Sequence, residues 1–535
     1  MIRCNRSKYP AILPAAALAT AAAMPGSALA LSFEAGGWSF DVDTTLGAAA
    51  QWRTEKRDKK LSTSPENWNF NDGNNNFDRG SLTSAKASFI LEVAGQYENF
   101  SFFIRGDGLY DTVYMDNTSD LSVENYESYN NAIPNGGTVK RGDFPDGTLD
   151  EQGRRLRLLD AFVNYEFELG SQFGSIRLGR QVISWGEGFI FQSVNSLQNP
   201  ADGSVALSPG VEAKEIFLPT NAVDLKLGFN DQVSAEVYYK LQWEETTQPG
   251  VGSFLSPNDV TGPGAQRTLV PEFGQTFPVV SPQHADDYGQ WGAAMRYVTD
   301  YGTSFSLSYV RGNANTPGVR VVTDLDTFET YSQEIYPEDI KFWQFGVSTI
   351  FGETSVYADL VYSENAPFND ITQYVNDKNQ LVSSDSVRGH YTQFMVGIFD
   401  TWTAFPWLSE RIDVIAEVVY MHNNLGTSDR ETNPYLVTDD ALAYQLNLRL
   451  NYFSVLPGLD LVVPISYRHD VDGYGASAVN PTYEDQMQAS IGIEGLYLSN
   501  WKFEVKYSFY FGNDDVGEPL WSDRDNVAIG VKYKF

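Results

Sequence analysis

Apolar side chains recur at every second position, stretch after stretch, and this constrains the fold more than any other feature of the chain. Trp501, Phe503, Val505, Tyr507 and Phe509 alternate with Lys502, Glu504, Lys506, Ser508 and Tyr510. Leu442, Tyr444, Leu446, Leu448, Leu450 and Tyr452 alternate with Ala443, Gln445, Asn447, Arg449 and Asn451. The last ten residues follow the same rule, with Val527, Ile529, Val531, Tyr533 and Phe535 set against Ala528, Gly530, Lys532 and Lys534. Successive side chains on a strand point to opposite faces, so each stretch reads as a strand with one oily and one wet face.

From Trp38 to Arg53 the apolar row runs between two tryptophans, Trp38 and Trp52. Such a strand is longer than most soluble ones and suits a tilted membrane span with an extension beyond it. The pattern places strands near 38–53, 84–97, 100–115, 154–169, 173–183, 220–229, 232–244, 288–299, 303–312, 339–351, 354–364, 388–400, 411–424, 440–453, 459–469, 484–497, 500–512 and 525–535. That makes about 18 strands, within a range of 16–18. Connections alternate: Glu98-Asn99, Gly170-Ser171-Gln172, Asn230-Asp231, Asp300-Tyr301-Gly302, Gly352-Glu353 and Ser499 are short, whereas 54–83, 116–153, 184–219, 245–287, 313–338 and 365–387 are long. Short turns at one end and long loops at the other are the asymmetry of outer-membrane barrels. A sandwich or propeller would show shorter apolar rows and repeats of even length. The expected fold is all-β: a transmembrane antiparallel β-barrel over 31–535, with no separate plug domain.

Mean hydropathy is −0.31, and past the N-terminus no apolar run approaches the roughly 20 residues that a membrane helix needs. Aromatics make up 14% of the chain, enough to supply girdles at two membrane interfaces. Residues 1–30 read as a signal peptide: Arg3, Arg6 and Lys8, an apolar centre over Ala11 to Ala23, then Ala28-Leu29-Ala30. The only cysteine, Cys4, lies there, so 31–535 carries no disulfide or thiolate site. With 69 acidic and 37 basic side chains the net charge is −32, which argues against nucleic acid as a partner. The ending, an aromatic residue bearing the free carboxylate, resembles the assembly signal of Gram-negative outer-membrane barrels. That resemblance implies the outer membrane as destination, the barrel-assembly machinery as a partner through Phe535, and lipid and lipopolysaccharide around the wall.

The wet faces carry both signs of charge. Candidate lumen or constriction residues are Arg105, Asp107, Asp111, Asp160, Arg177, Glu236, Arg296 and Arg449. Glu166, Lys240, Asp359, Asp413, Glu417, Arg468, Glu494, Lys502, Glu504 and Lys506 share their parity. Such charges either tune a wet pore or pair across neighbouring strands to stiffen the wall. The mixed signs argue against strong selectivity for either ion.

The sharpest local stretch is Ile176 to Phe191, IRLGRQVISWGEGFIF. Arg180 breaks the alternation, and Gly179, Gly186 and Gly188 permit tight bends. Phe189, Ile190 and Phe191 then place oily side chains in an otherwise polar loop. Loop 184–219 could fold inward, with Trp185, Phe189 and Phe191 lining an apolar path, or it could pack beneath the other loops as a cap.

Arg177-Leu178-Gly179-x-Gln181-Val182-x-x-Trp185-Gly186-Glu187 resembles the signature of the family known as domain of unknown function 1302. The likeness continues through Asn199-Pro200-x-Asp202, Lys214-Glu215, Leu218-Pro219, Tyr239-x-Leu241-Gln242-Trp243-Glu244, Phe254 and Asn258-Asp259. It implies an outer-membrane protein working with periplasmic lipoprotein-like partners and inner-membrane transporters on hydrophobic or steroid-like molecules. Arg177-Leu178-Gly179-Arg180-Gln181 is also similar to a strand-end motif of alginate-export-type porins, whose basic lumen this mixed-charge interior does not match.

None of the four histidines, His284, His390, His422 and His469, lies in a nucleophile-elbow or HExxH setting. Asn69 to Asp78 and His284-Ala285-Asp286-Asp287 lack EF-hand spacing and read as solvated loops. Arg141-Gly142-Asp143 matches a cell-adhesion tripeptide by spelling alone. No catalytic residue, metal site or cofactor is expected. These features point to a channel for a small hydrophobic or amphipathic molecule, gated by an inward loop. The alternatives are a non-conducting assembly or binding partner of an export system, or a polysaccharide-export-type porin.

Overall fold

The computed structural model describes residues 31–535, apart from 65–66, 117–143, 171, 207, 209–210, 212, 271–274, 371–372, 404, 426–436, 476–481 and 513–520. Residues 1–30, read above as a signal peptide, and Arg141-Gly142-Asp143 lie outside the described residues.

Eighteen strands make the wall. They are β1 (Trp38–Arg53), β2 (Leu82–Tyr97), β3 (Phe100–Asp111), β4 (Arg154–Leu169), β5 (Gln172–Gln181), β6 (Thr220–Gly228), β7 (Val233–Lys240), β8 (Trp291–Val298) and β9 (Ser304–Gly312). They continue as β10 (Ile340–Phe351), β11 (Thr354–Asp370), β12 (Gln380–Trp402), β13 (Arg411–Asn423), β14 (Asp440–Leu456), β15 (Leu459–Asp472), β16 (Met487–Tyr497), β17 (Trp501–Phe511) and β18 (Asn526–Lys534). Each pairs antiparallel with the next, as Val93 opposite Ile104 and Ile491 opposite Tyr507 illustrate. The ring closes between β1 and β18, from Thr45 opposite Lys534 to Arg53 opposite Asn526. Phe535 completes the seam: its N–H donates to Thr44 at 2.9 Å and its carbonyl accepts from Thr44 at 2.8 Å. Closure leaves no bare sheet edge over the seam, which a span in hydrocarbon requires.

Burial shows which face looks out. Leu360 and Val418 are 46% and 42% exposed, while their neighbours Asp359 and Glu417 are each 1% exposed. The oily row therefore faces outward and the charged row inward, the reverse of a soluble protein and the arrangement that lipid demands. Aromatic rings band both ends. Trp291, Tyr309 and Trp343 follow one another at 5.1 and 4.6 Å near the long-loop end. Trp38 and Tyr97 at 5.5 Å, and Trp501 and Tyr533 at 4.6 Å, sit near the short-turn end. At that end Gly352 makes its two-residue turn with φ +67°, a region open to glycine without steric cost. This is a transmembrane barrel of the outer-membrane type.

The long connections hold more order than their sequences suggest. Arg267–Val270, Gln275–Gln283, Gly318–Asp324, Thr330–Ile335 and Tyr374–Val375 are strands outside the wall, expected only as loops. β11 and β12 also run past the wall into this outer sheet. Their buried apolar residues, such as Val322, Val382 and Phe368, are scattered among polar ones in sequence, so no continuous oily row marks them. Leu31–Ala35 pairs back on β1, Leu31 opposite Val42, along the edge that β18 leaves open.

Within the Asn-rich stretch 69–78, expected to be solvated, Phe70 to Phe77 are buried. Asp72 and Asn74 are 0% exposed. Asp72 is gripped by Arg267 at 2.9 Å, and the Asn74 side chain takes Arg53 at 2.6 Å. Asp111, expected in the lumen, is committed to a cap. It is 2% exposed, and its carboxylate accepts from Ser84 Oγ and from the N–H groups of Ala85 and Val113, capping the short helix Thr112–Met115. The alternation in sequence ran on to 115, but the backbone turns helical at 112.

Candidate functional site

The chain leaves the wall at Gln181 and returns at Thr220. Gly186 takes φ +92°, and a Cβ there would run into the Ser193 hydroxyl. Beyond this bend the segment binds inward-facing side chains on strands all round the ring.

Glu417 of β13 is the main anchor. Its carboxylate accepts the backbone N–H groups of Phe189 at 2.6 Å, Ile190 at 3.1 Å and Phe191 at 2.8 Å, with the Tyr357 hydroxyl at 2.8 Å. Three successive N–H groups aimed at one carboxylate form an anion nest, and charge-assisted bonds are about twice as strong as neutral ones. Asp359 of β11 accepts the Glu187 N–H at 2.7 Å and Gln344 Nε2 at 2.6 Å. Lys240 of β7 donates to the Leu197 carbonyl at 3.1 Å.

The far end of the segment is tied to the opposite strands. Asp202 is held by Arg155 at 3.0 Å and Arg157 at 2.7 Å, both from β4. Burial pushes the Asp202 carboxyl up, but the two guanidiniums outweigh that and hold it below the usual carboxylate range. Arg105 of β3 donates to the Lys214 carbonyl at 2.9 Å. Lys214 meets Glu92 of β2 at 2.9 Å, and Glu215 meets Lys532 of β18 at 2.9 Å.

The residues singled out from the sequence fall into three groups. Arg105 pairs with Asp160 at 2.6 Å, Asp107 with Arg157 at 2.8 Å, Arg296 with Glu187 at 3.4 Å and Arg449 with Glu494 at 3.0 Å. Glu236 lies 3.4 Å from Lys226, and Arg177 stacks over the Phe162 ring at 4.6 Å. These are inward and engaged with neighbours. Trp185 and Phe191 are buried in packing, the first against Tyr238 at 5.1 Å and the second among Tyr357, Met395 and Val419. Phe189 alone of the three rings is open, at 70% exposure, with its ring on Tyr357 at 5.2 Å.

Sequence reasoning assigned no role to Arg155, Arg157, Asp202, Lys214, Glu215, Glu92 or Lys532. Strand parity does mark Glu92 and Lys532 as inward, and that signal could have found them; it puts Arg155 and Arg157 on the face opposite Asp160, and only the bulge between Leu158 and Ala161 turns them inward.

Space remains on both sides of the segment. A cavity of about 580 Å³ near the short turns is lined by Glu166, Lys226, Glu236, Arg296, Trp185 and Gln344. Another of about 290 Å³ lies beside Ala206 and Ser208, against Gln445, Arg468, Gln488 and Lys506. Among the described residues no group of three or more His, Cys, Asp or Glu could hold a metal ion. His422 meets Asp440 at 2.8 Å on the exposed rim, and Asp440 also takes the Tyr420 hydroxyl.

The architecture resembles solved porins at low identity. A BenF-like porin from Pseudomonas fluorescens Pf-5 aligns at 10% identity and TM-score 0.45, covering 93% of this chain and 98% of that one. OccAB2 of Acinetobacter baumannii aligns at 12% and 0.41, with the same coverage. OccK2 (OpdF) of Pseudomonas aeruginosa, solved with glucuronate, aligns at 10% and 0.43, again with 93% and 98% covered. At these values the likeness says nothing about cargo. No curated protein matches the chain. The family model described as protein of unknown function (DUF1302) matches residues 11–535, and the chain belongs to that family.

Proposed function

We propose that this protein is an outer-membrane channel for a small hydrophobic or amphipathic molecule, with segment 184–219 narrowing its lumen. The observation that carries the proposal is the seat of Phe189, Ile190 and Phe191 on Glu417. A surface cap has no need of a carboxylate on a wall strand, whereas a strap across the lumen does. Phe189 keeps an open ring and the inward rows are charged, so an apolar body and a polar group of one molecule each find a partner. The mixed, paired charges of the interior do not favour a threaded anionic polymer.

The C-terminal ring of Phe535 we read as the mark taken by the barrel-assembly machinery, with lipid and lipopolysaccharide against the outward row. Periplasmic lipoprotein-like and inner-membrane transporter partners would meet the short-turn end. The test is conductance in a planar bilayer. Refolded protein should conduct, and a deletion within 195–206 should raise the single-channel conductance. Unchanged conductance would retire the strap. Silence of both forms would favour a non-conducting assembly partner.

A further inference from the structure

The wall is interrupted beside β4. β4 pairs with β3 from Arg154 opposite Tyr110 to Tyr165 opposite Phe100, with a bulge between Leu158 and Ala161. On its other side β4 meets β5 only from Ala161, opposite Arg180, downward. β5 ends there because the chain turns inward at Gln181. Arg154 to Asp160 therefore present an edge that β5 does not cover. Leu156 and Leu158 project outward from it, at 78% and 56% exposure.

A cavity of about 750 Å³ lies against this edge. It touches both Arg157 and Leu158. Neighbours on a strand point to opposite faces, so the space passes round the strand's edge from the inner to the outer side. Arg157 is the inner partner of Asp107 and Asp202. Across the gap stand Trp243, Glu244, Glu245, Asp286 and Asp287. The flanking tyrosines Tyr110 and Tyr239 are outward and exposed, and Tyr239 pairs with the girdle residue Trp291. The gap thus opens at the height of the outer aromatic band, where acyl chains meet head groups. Bare backbone N–H and C=O groups in hydrocarbon are costly, whereas this height supplies polar partners.

We propose that this gap is a side exit, by which a neutral or cationic amphiphile passes between the lumen and the outer leaflet round the edge of β4. Leu156 and Leu158 offer the apolar lip. Of the arginines at the gap, Arg180 is committed to Glu244 and Arg157 to two aspartates, while Arg154 is exposed at the outer end of the edge. Glu245, Asp286 and Asp287 leave the rim acidic, which disfavours an anionic head. The proposal rests on the channel reading above and adds a direction and a head-group class to it.

The test uses the refolded full chain in vesicles holding trapped cyclodextrin, with Cys4→Ser as background. Leu158→Cys is labelled after folding with a bulky polyethylene-glycol maleimide, and Val163→Cys, on the paired part of β4, is the control. Folding is checked by heat-modifiable mobility. Probes are a pyrene-alkyl trimethylammonium and the matching pyrene-alkyl carboxylate, with KCl conductance measured in parallel. Label at 158 should bring ammonium transfer down to that of protein-free vesicles and leave conductance unchanged, while label at 163 should change neither. The unlabelled protein should prefer the ammonium by about tenfold. Unchanged transfer after label at 158, or an equal fall in conductance, overturns the side exit. Equal transfer of both probes overturns the head-group assignment. Conductance without transfer of either probe sinks the side exit alone. Absence of both sinks the channel reading with it.

Discussion

The carboxylate of Glu417 receives the backbone N–H of Phe191 at 2.8 Å across 226 positions of sequence. The two preceding N–H groups converge on the same oxygens. Glu417→Gln keeps the size, removes the charge and turns one acceptor into a donor aimed at other donors. Each charge-assisted bond contributes about 1.5–3 kcal/mol. The segment should therefore loosen, and single-channel conductance should rise and flicker. The heat-modifiable midpoint should move little, because β13 keeps its ladder with both neighbours.

Asp202 stands between two β4 arginines and is 0% exposed. Asp202→Asn leaves both guanidiniums short of a counter-charge at the lumen wall. Removing one partner of a buried pair costs about 3–5 kcal/mol, toward the lower end here because Arg157 is partly open. The reversal potential in a KCl gradient should shift toward anion preference. An unshifted potential would mean that these arginines lie off the conducting path.

Asp259 tests the outer cap. Burial raises its carboxyl well above the usual range, and the neighbouring Asp72 carboxylate raises it further. A raised acid is favoured in its protonated form by the folded state. Its contribution is therefore present in full below the ordinary carboxylate range and is lost as pH climbs through the raised value. Asp259→Asn should raise the thermal midpoint at about pH 8 and match the parent near pH 4. Midpoints in non-ionic detergent across that range check the sign.

Phe535 joins Thr44 through its backbone alone. Phe535→Ala keeps both bonds and removes the ring. The ring's contact with Tyr533 at 5.7 Å is lost, so refolded stability should fall by about 0.5–1.5 kcal/mol, while the amount assembled in cells should fall sharply. Equal loss in the test tube and in the cell would point to packing and away from recognition.

The wall was legible because its oily row has a strict period of two and faces hydrocarbon; Val93, Ile104 and Val505 obey it without help from the rest of the fold. The outer sheet was not, since strands such as Thr330–Ile335, TYSQEI, carry no row of apolar residues at alternate positions. Glu417 was readable as inward, but its task was not. Its partners are main-chain N–H groups, which every residue but proline carries and no pattern advertises. Asp111 shows the opposite failure: its parity is right for the lumen, but its side chain turns back to cap Thr112–Met115.

The seam between β1 and β18 joins the first and last strands of the wall, Gln51 lying opposite Ala528. No fragment lacking β18 can complete the ring, so every intermediate carries two raw strand edges until that strand arrives. Assembly is thus a race between late closure and mispairing. A premature stop even one strand short leaves the cell a sticky open ribbon, unable to serve as a smaller pore.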